Sequence, residues 1–538
     1  GYAVDAAAAP ANARVGETGT PSWLGSAPEV PEADIVETLD VEVLVVGCRT
    51  GGLPAIISAA ENGARVLGID RVSKVANPRE DIGAIDSALQ KASFAEYPQF
   101  EIDKMEAVED IVRYANGFIN YDLVKLWANE SGPMLDWITG IVERDGRMVM
   151  NFEGSIGTTG QGARDKAWAT GHSPEKTALS KDDKSFSFGV SLMEYAQEKG
   201  AEFRWNTELV KCEQDGSGRV TGVIARDVND RHYLRINASK GVILATGGYE
   251  ANPDLLAELN PDAAAIGGVS MTQAGCEGEG IKAGIWAGGM KDEIPTLMTF
   301  ARAAVAPDAE LGYPYQGMTC WIGDQPFLKV NLDGARVCCE TAPYDYPLHV
   351  AALQPEYKLA SIWDSDYQNQ IVAFHTIGCS AQTRNAGAEY IQKQMDNAEK
   401  EGVFFKADTI EELADKLGFT GEAKDTFLAT VERYNELYDK QNDEDFGKPA
   451  YRLSAIRTAP FYGCWLGASL LTTEQGIAIN DKGQALDNDN KPMPGLYVTG
   501  DMSGSFFANN YPCLMAGVAM GRTLTYAIKA IKQMGGLE

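Results

Sequence analysis

The chain has 538 residues, more than one core of ordinary size organises, so two or three domains are expected. Hydrophobic residues make up 44% and charged residues 23%, the balance of a globular protein, and no apolar run reaches the roughly 18 residues of a membrane span. With 47 basic against 76 acidic side chains the net charge is -29; this repels nucleic acid and anionic lipid, and reads first as a solubilising surface that would also suit a basic partner.

Residues 1–39 are rich in Ala, Pro, Gly and acids and read as an extended surface arm. A start at Gly1 followed by an Ala-rich stretch suggests a processed and hence exported chain; a trimmed chain would look the same, and a cytoplasmic location is the alternative. From 41 the character changes. VEVLVVG is a buried parallel strand, LPAIISAAENGA has helical spacing, and ARVLGID is a second buried strand, together one βαβ unit. Helical patterns run through 105–143. WNTELVKCEQDGSGRVTGVIARD and RHYLRINASKGVILATGG read as strand–turn–strand and another buried strand. The segment 300–458 holds more aromatics and prolines and two helical stretches, near 386–400 and 409–440. Residues 459–538 return to buried-strand and Gly-rich character in GLYVTGD and the helix AGVAMGRTLTYAIKAI. The expected architecture is therefore α/β: a Rossmann-like domain built from both ends of the chain (40–299 and 459–538), with an α+β capping domain inserted between.

Four motifs carry chemistry. VVGCRTGG (45–52) sits between a strand and a helix, where a dinucleotide fingerprint belongs. Gly47 allows the tight turn, Gly51 and Gly52 let the helix pack close, and the helix N-terminus points free N–H groups at a pyrophosphate. Asp70 ends the second strand and can accept hydrogen bonds from ribose hydroxyls. Arg49 breaks the pattern, standing where a second glycine normally admits the phosphate. Its side chain can swing into solvent, pair with the pyrophosphate, or weaken cofactor binding. GVILATGGY (241–249) runs a buried strand into Gly247 and Gly248. MPGLYVTGDMSG (493–504) repeats strand, glycine, acid. NNYPCLMAGVAMGRTLTYA (509–527) is a loop opening a helix whose start can stabilise negative charge on a reduced flavin ring.

With these motifs in this order, the chain resembles the superfamily of FAD-dependent fumarate reductases, succinate dehydrogenase flavoproteins and 3-ketosteroid dehydrogenases over about 41–530. GCEGEG (275–280) is similar to that family's ATGDG turn, and LDGARVCCE (332–340) to its G-x-R-F-x-N-E segment. The resemblance implies FAD as cofactor, held by Gly51, Asp70, Gly83, Ala84, Val210, Glu279, Asp501, Ala516 and Gly517. It also implies a substrate between cap and flavin, and a separate electron carrier such as a haem protein; no second dinucleotide fingerprint supports direct use of NAD(P)H.

The departures from the family are informative. Its C-terminal substrate arginine corresponds to Tyr511 in ANNYP, and its paired histidines correspond to the Leu470–Thr472 region, which has none. Glu340 matches the family's proton-relay glutamate, but the arginine expected three residues on is Pro343, and WDSDYQ (363–368) lacks the proton-donating arginine. A site without these cations would leave a dicarboxylate desolvated and unpaired. Ketosteroid dehydrogenases of the superfamily have a tyrosine at the place of Tyr511, where a phenol polarises a ketone. Tyr313, Tyr315, Tyr344, Tyr346 and Tyr367 are further candidates for an apolar pocket, and Arg302 and Arg336 are the cap cations of interest, Arg336 as a brace for Glu340. The catalytic candidates are thus Tyr511 and Glu340. The activity expected is reduction of an activated C=C bond, in an enone or unsaturated ring, by hydride transfer from FAD N5. The alternatives are a ketosteroid-type dehydrogenase working oxidatively and a non-catalytic flavin-binding protein. Nine dispersed cysteines without a CxxC pair, and four histidines without ligand spacing, lead to no expected metal site.

Overall fold

The first strand, β1 (Ile35–Val46), alternates partly buried and exposed residues over its first half and is almost continuously buried over its second. That is the pattern of a strand that starts at a rim and ends in the middle of a covered parallel sheet. A computed structural model shows this arrangement and describes residues 20–153, 168–272, 275–341, 345–376, 380, 383 and 386–534. Residues 35–39, expected in the arm, belong to the sheet: β1 pairs in parallel with β9 (Tyr233–Leu244) from Ile35 onward. Polar side chains hid this, because Glu37 takes a two-pronged hydrogen bond from Arg204 (2.7 and 2.8 Å) instead of packing on apolar neighbours. The described part of the arm also docks, with Trp23 and Leu24 buried in the core.

Parallel to β1 on its other side lies β2 (Val66–Ile69), followed by β6 (Glu202–Arg204). On the far side of β9, and parallel to it, is β18 (Pro492–Val498), edged by the antiparallel β17 (Gln484–Leu486). β7 (Thr207–Gln214) and β8 (Val220–Asp227) form a hairpin attached to β9. One sheet thus joins strands from residue 35 to residue 498, as the two-ended reading required. A small sheet of β3 (Ile82–Gly83), β5 (Gly171–Lys176) and β4 (Met148–Phe152) lies beyond it.

The cap has its own sheet, in the order β12 (Met318–Thr319), β11 (Leu297–Val305), β16 (Phe461–Thr473), β14 (Leu359–Trp363), β13 (Leu328–Val330). β10 (Gly267–Ser270) and β15 (Phe405–Ala407) also pair with β16. The boundaries expected at 299/300 and 458/459 do not coincide with this sheet. β11 crosses the first, and β16 follows the second yet is the strand to which four others attach. The reason is length: thirteen residues suffice to run through the cap and still return to the dinucleotide domain. No described helix is long and apolar enough to cross a membrane.

Three helices fix the loop that carries Gly83. Helix Val518–Gln533 packs against both Gly52–Glu61 and Tyr121–Glu143. Within the last of these, a Cβ on Gly132 would lie 2.5 Å from the Ile85 carbonyl, so only glycine lets the loop cross there. Trp127 Nε1 then donates to the Gly83 carbonyl at 3.0 Å.

Candidate active site

At the end of β1 the chain turns at Gly47, with φ of 102°. A Cβ there would meet the Ala245 carbonyl oxygen at 2.1 Å, so the position demands glycine on both steric and conformational grounds. The next amide, Cys48 N–H, donates to Asp70 Oδ2 at 2.9 Å, and Val72 N–H donates to its Oδ1 at 3.2 Å. Asp70 is thereby fixed at the end of β2. A Cβ on Gly52 would fall 1.6 Å from the Gly47 carbonyl, so the helix starts directly on the turn with no side chain between.

These elements wall a narrow cleft whose other lining residues include Arg49, Thr207, Glu208, Leu209, Ala245, Thr246, Gly275 and Glu279. Arg49 does not swing into solvent. Its side chain is 11% exposed, with Nε 3.6 Å from Asp70 Oδ2 and Nη1 within 3.9 Å of Cys276 Sγ. Glu279 Oε2 is buried and finds no hydrogen-bond partner among the described residues. Burial pushes its carboxyl up to about 7, against backbone donation and the opposing charge of Arg71. A helix start bare of side chains, a fixed strand-end acid and an unsatisfied buried carboxyl fit the phosphate and hydroxyl groups of a dinucleotide.

The far end of the site is formed where the two ends of the chain meet. Gly83 N–H donates to the Gly517 carbonyl at 2.7 Å. Gly517, at φ 72°, caps the helix Val518–Gln533, and a Cβ on Gly83 would meet the Ala516 carbonyl at 2.6 Å. From here a wider cleft, about 540 Å³, opens towards the cap. Its walls carry Ala516, Gly517, Ala519 and Met520 on one side, and Met298, Phe300, Arg302 and Trp321 on the other, with Tyr511 and Cys513 also in its lining.

Tyr511 is buried, and its phenol oxygen accepts a hydrogen bond from Ala519 N–H at 3.3 Å, in the first turn of that helix. The hydroxyl proton is left to point elsewhere. Burial, reinforced by Cys513 and Glu474, holds the phenol well above its ordinary value despite Arg79 and the Ala519 amide, so the group remains a donor across the physiological range. Its backbone N–H donates to Asp345 Oδ2 of the cap at 3.1 Å.

Both cleft arginines are already engaged. Arg302 donates to Asp324 Oδ2 at 2.6 Å and lies 4.2 Å from the centroids of both Phe300 and Trp321. Arg79 pairs with Asp501 at 2.9 Å, and Asp501 also accepts from Thr472 Oγ1 at 3.0 Å. The same lining carries four carboxyl side chains, Glu80, Asp81, Glu153 and Glu175.

Of the residues singled out from sequence, Gly47, Arg49, Asp70 and Glu279 line the first cavity, and Tyr511, Ala516 and Gly517 line the cleft. Gly51 and Gly52 lie under the helix start, and Gly83 buttresses Gly517. Val210 and Gly247 are one step from the lining residues Leu209 and Thr246, and Ala84 is tied behind the site to the Thr170 carbonyl at 2.9 Å. Asp501 reaches the cleft only through Arg79.

Glu340 lies elsewhere. Arg336 donates to both its oxygens at 2.9 Å, Lys448 lies 3.2 Å away, and Asp443 completes a buried network inside the cap. Burial works against its charge, but Lys448 and Arg336 outweigh it and hold the carboxyl below its usual range. Arg336 is thus the brace expected. The cap tyrosines named from sequence that the structure describes also sit away from the cleft lining: Tyr313 is exposed and meets Tyr315 edge-on, Tyr346 lies tilted beside Tyr114, and Tyr367 meets Tyr462 edge-on. Tyr344 and Pro343 lie outside the described residues. Sequence reasoning missed Thr246 and Gly275, although each sits inside a motif already singled out, and Arg79, which precedes Gly83 by four residues. It also missed Met298 and Phe300, because β11 reads as core along its whole length, and Trp321, which opens a short 3-10 turn further on.

Residues 42–513 match the model of a family described as FAD binding domain. The chain is 26% identical over 491 residues to the vinyl phenol reductase of Lactiplantibacillus plantarum, covering 89% of this chain and 93% of that protein. Two solved structures share the fold. The 3-ketosteroid-Δ4-(5α)-dehydrogenase of Rhodococcus jostii RHA1 in complex with 4-androstene-3,17-dione superposes with a TM-score of 0.65 at 18% identity, over 94% of this chain and 98% of that one. The open conformation of a flavocytochrome c3 fumarate reductase superposes with 0.64 at 21% identity, over 93% and 78%.

Proposed function

Because the chain belongs to the FAD binding domain family and takes FAD as its cofactor, we propose that it reduces an activated C=C bond in an uncharged or weakly charged substrate, an enone or unsaturated ring. The observation that carries this reading is Tyr511: a buried phenol in the cleft, its oxygen held by a helix-start amide and its proton free to donate. FAD, when bound, supplies the two-electron redox chemistry. Gly47, Gly51, Asp70 and Glu279 would hold its nucleotide end, and Gly83, Ala516 and Gly517 its ring end.

Tyr511 donates to the substrate carbonyl. As the bond conjugated to that carbonyl is reduced, negative charge develops on the oxygen, and the phenol stabilises it. The Ala519 amide strengthens the donor by drawing charge from the phenol oxygen. Met298, Phe300, Trp321 and Leu471 supply apolar surface for a ring. A dicarboxylate is disfavoured, since both cleft arginines have carboxylate partners and four further acids share the lining. The relative named for a vinyl phenol supports an uncharged substrate with a C=C bond conjugated to a ring.

The same phenol serves the reverse reaction, oxidation of a saturated ketone, because the charge develops on the same oxygen; the electron partner sets the direction. A separate carrier, a haem protein, is the partner we favour, in keeping with the fold shared with a flavocytochrome. The test is anaerobic reoxidation of the viologen-reduced, FAD-loaded protein by an enone, an enoate ester and fumarate. The enone should react fastest; fumarate outpacing it would overturn the reading.

A further inference from the structure

Resting on that reading, reduction of the double bond needs a proton donor for the α-carbon, and Tyr511 is committed to the carbonyl. The cleft holds another candidate. Asp81 leaves the loop just before Gly83, and Glu153 follows β4; both line the cleft. Their oxygens converge on the notch left by the missing side chain of Gly171: a Cβ there would lie 2.9 Å from Glu153 Oε2 and 3.2 Å from Asp81 Oδ1. Ala516 Cβ, in the expected floor of the flavin, borders the same notch at 3.3 Å. Asp81 Oδ1 is buried and has no hydrogen-bond partner among the described residues. Glu153 is open to solvent on its outer side.

We propose that Asp81 and Glu153 share one proton and that Asp81 is the general acid that delivers it to the α-carbon of the substrate. In this step the carboxyl O–H bond breaks and the C–H bond at the α-carbon forms. The reduced cofactor supplies the electron pair and the hydrogen for the β-carbon, so the double bond gains two hydrogens and two electrons in all. The carboxylate left behind regains its proton from water through Glu153 at the mouth.

Two carboxyls converging on one buried notch cannot both ionise cheaply, which keeps the proton in place near neutrality. Burial is the main cause holding Asp81 well above the usual range, with Glu153 adding to it and Arg79 opposing. Glu153 is also raised by burial, against the Ser173 hydroxyl and with Glu175 reinforcing it. The charged groups facing the pair are Arg79 and Glu80 from its own loop and Glu175 from β5; Arg302 and Tyr511 line the same cleft.

The experiment uses the full, FAD-loaded chain and the variants Asp81→Asn and Glu153→Gln. Infrared titration without substrate should show a protonated-carboxyl stretch that persists near neutral pH in the wild type and is lost in both variants; its absence from the wild type would overturn the shared proton. With 2-cyclohexen-1-one as probe, reoxidation of the reduced Asp81→Asn protein should slow by about 100-fold or more, as for loss of a general acid. The wild-type rate should fall as pH rises through the titration of the pair. Glu153→Gln should keep the rate at low pH and shift its fall to lower pH, because Asp81 then loses the neighbouring carboxylate that helps hold its proton. Rates for both variants within threefold of the wild type would overturn the role, provided their visible spectra show normal FAD content. Failure of the wild type to react with the probe would count against the proposed function, while the infrared band still decides the shared proton.

Discussion

Ala519 donates its backbone N–H to the phenol oxygen of Tyr511, eight residues earlier, at 3.3 Å. The helix Val518–Gln533 is thus capped by the side chain proposed to bind substrate, and the positive end of its dipole lies against that oxygen. Removing the hydroxyl takes away a substrate donor and a helix partner together. Tyr511→Phe is expected to lower kcat by about 100- to 1000-fold, the range for loss of one oxyanion donor. KM should change little and FAD absorbance should be kept. Steady-state kinetics on an enone measure this, and an unchanged kcat would remove Tyr511 from the chemistry.

Arg49 lines the cavity proposed for the nucleotide, with long contacts of 3.6 Å to Asp70 and 3.9 Å to Cys276 Sγ. Its guanidinium can therefore turn to a phosphate without breaking a strong pair. Arg49→Ala should weaken FAD binding about 10- to 100-fold, as expected for one charge-assisted hydrogen bond. Titration of the apoprotein with FAD, followed by flavin fluorescence at two salt concentrations, checks it. Tighter binding by the variant would mean that Arg49 obstructs the site.

In the cap, Glu340→Gln leaves Lys448 and Arg336 short of a buried negative charge. A loss of about 3–5 kcal/mol is expected, measured by thermal or denaturant unfolding of the cap. Asp443 in the same network sits at about 2; burial raises it, but hydrogen bonding and charge from Arg336 and backbone donation from Lys448 lower it more. Its contribution is therefore present above the unfolded carboxylate value near 4 and is lost as pH falls towards 2.

His172 gives the opposite end of the site an earlier acid limit. Burial lowers it to about 4, against hydrogen bonds to the Thr170 and Ile82 carbonyls. Its Nδ1–H donates to Thr170 at 2.8 Å, so Nε2 accepts from the Ser87 hydroxyl. A native value below the unfolded value of about 6.5 means the unfolded chain binds the proton more tightly. Stability is full above pH 6.5 and declines as pH falls towards 4, by about 3 kcal/mol at most. β3 and β5 pair at Ile82 and His172, next to Gly83. FAD release, followed by fluorescence, should begin in this window and shift in His172→Gln; release independent of pH between 7 and 4 would refute it.

Much of the dinucleotide domain was legible because its chemistry is local. Gly47, Gly52 and Asp70 announce themselves by a strand, a turn and a helix start in immediate succession. Tyr511 was legible only as a departure from a family pattern. What stayed hidden depends on long-range pairing. Ile35–Leu39 read as arm because Glu37 is satisfied by Arg204, 167 residues away. Phe300 reaches the cleft on β11, which is placed by pairing with β16, and no spacing in the chain announces that pairing. Glu340 matched a motif, but its role is set by Lys448 and Asp443, both more than 100 residues on.

The placement of β16 has a practical consequence for exchanging parts between proteins of this fold. A graft cut at 300 and 458 would carry β12 to β15 without the strand that joins them, and would leave the start of β11 and all of β16 in the host. A transplantable unit must run from Gly267 to Thr473. Recombination, in the laboratory or in lineage history, should therefore preserve substrate preference and flavin seat only at those seams.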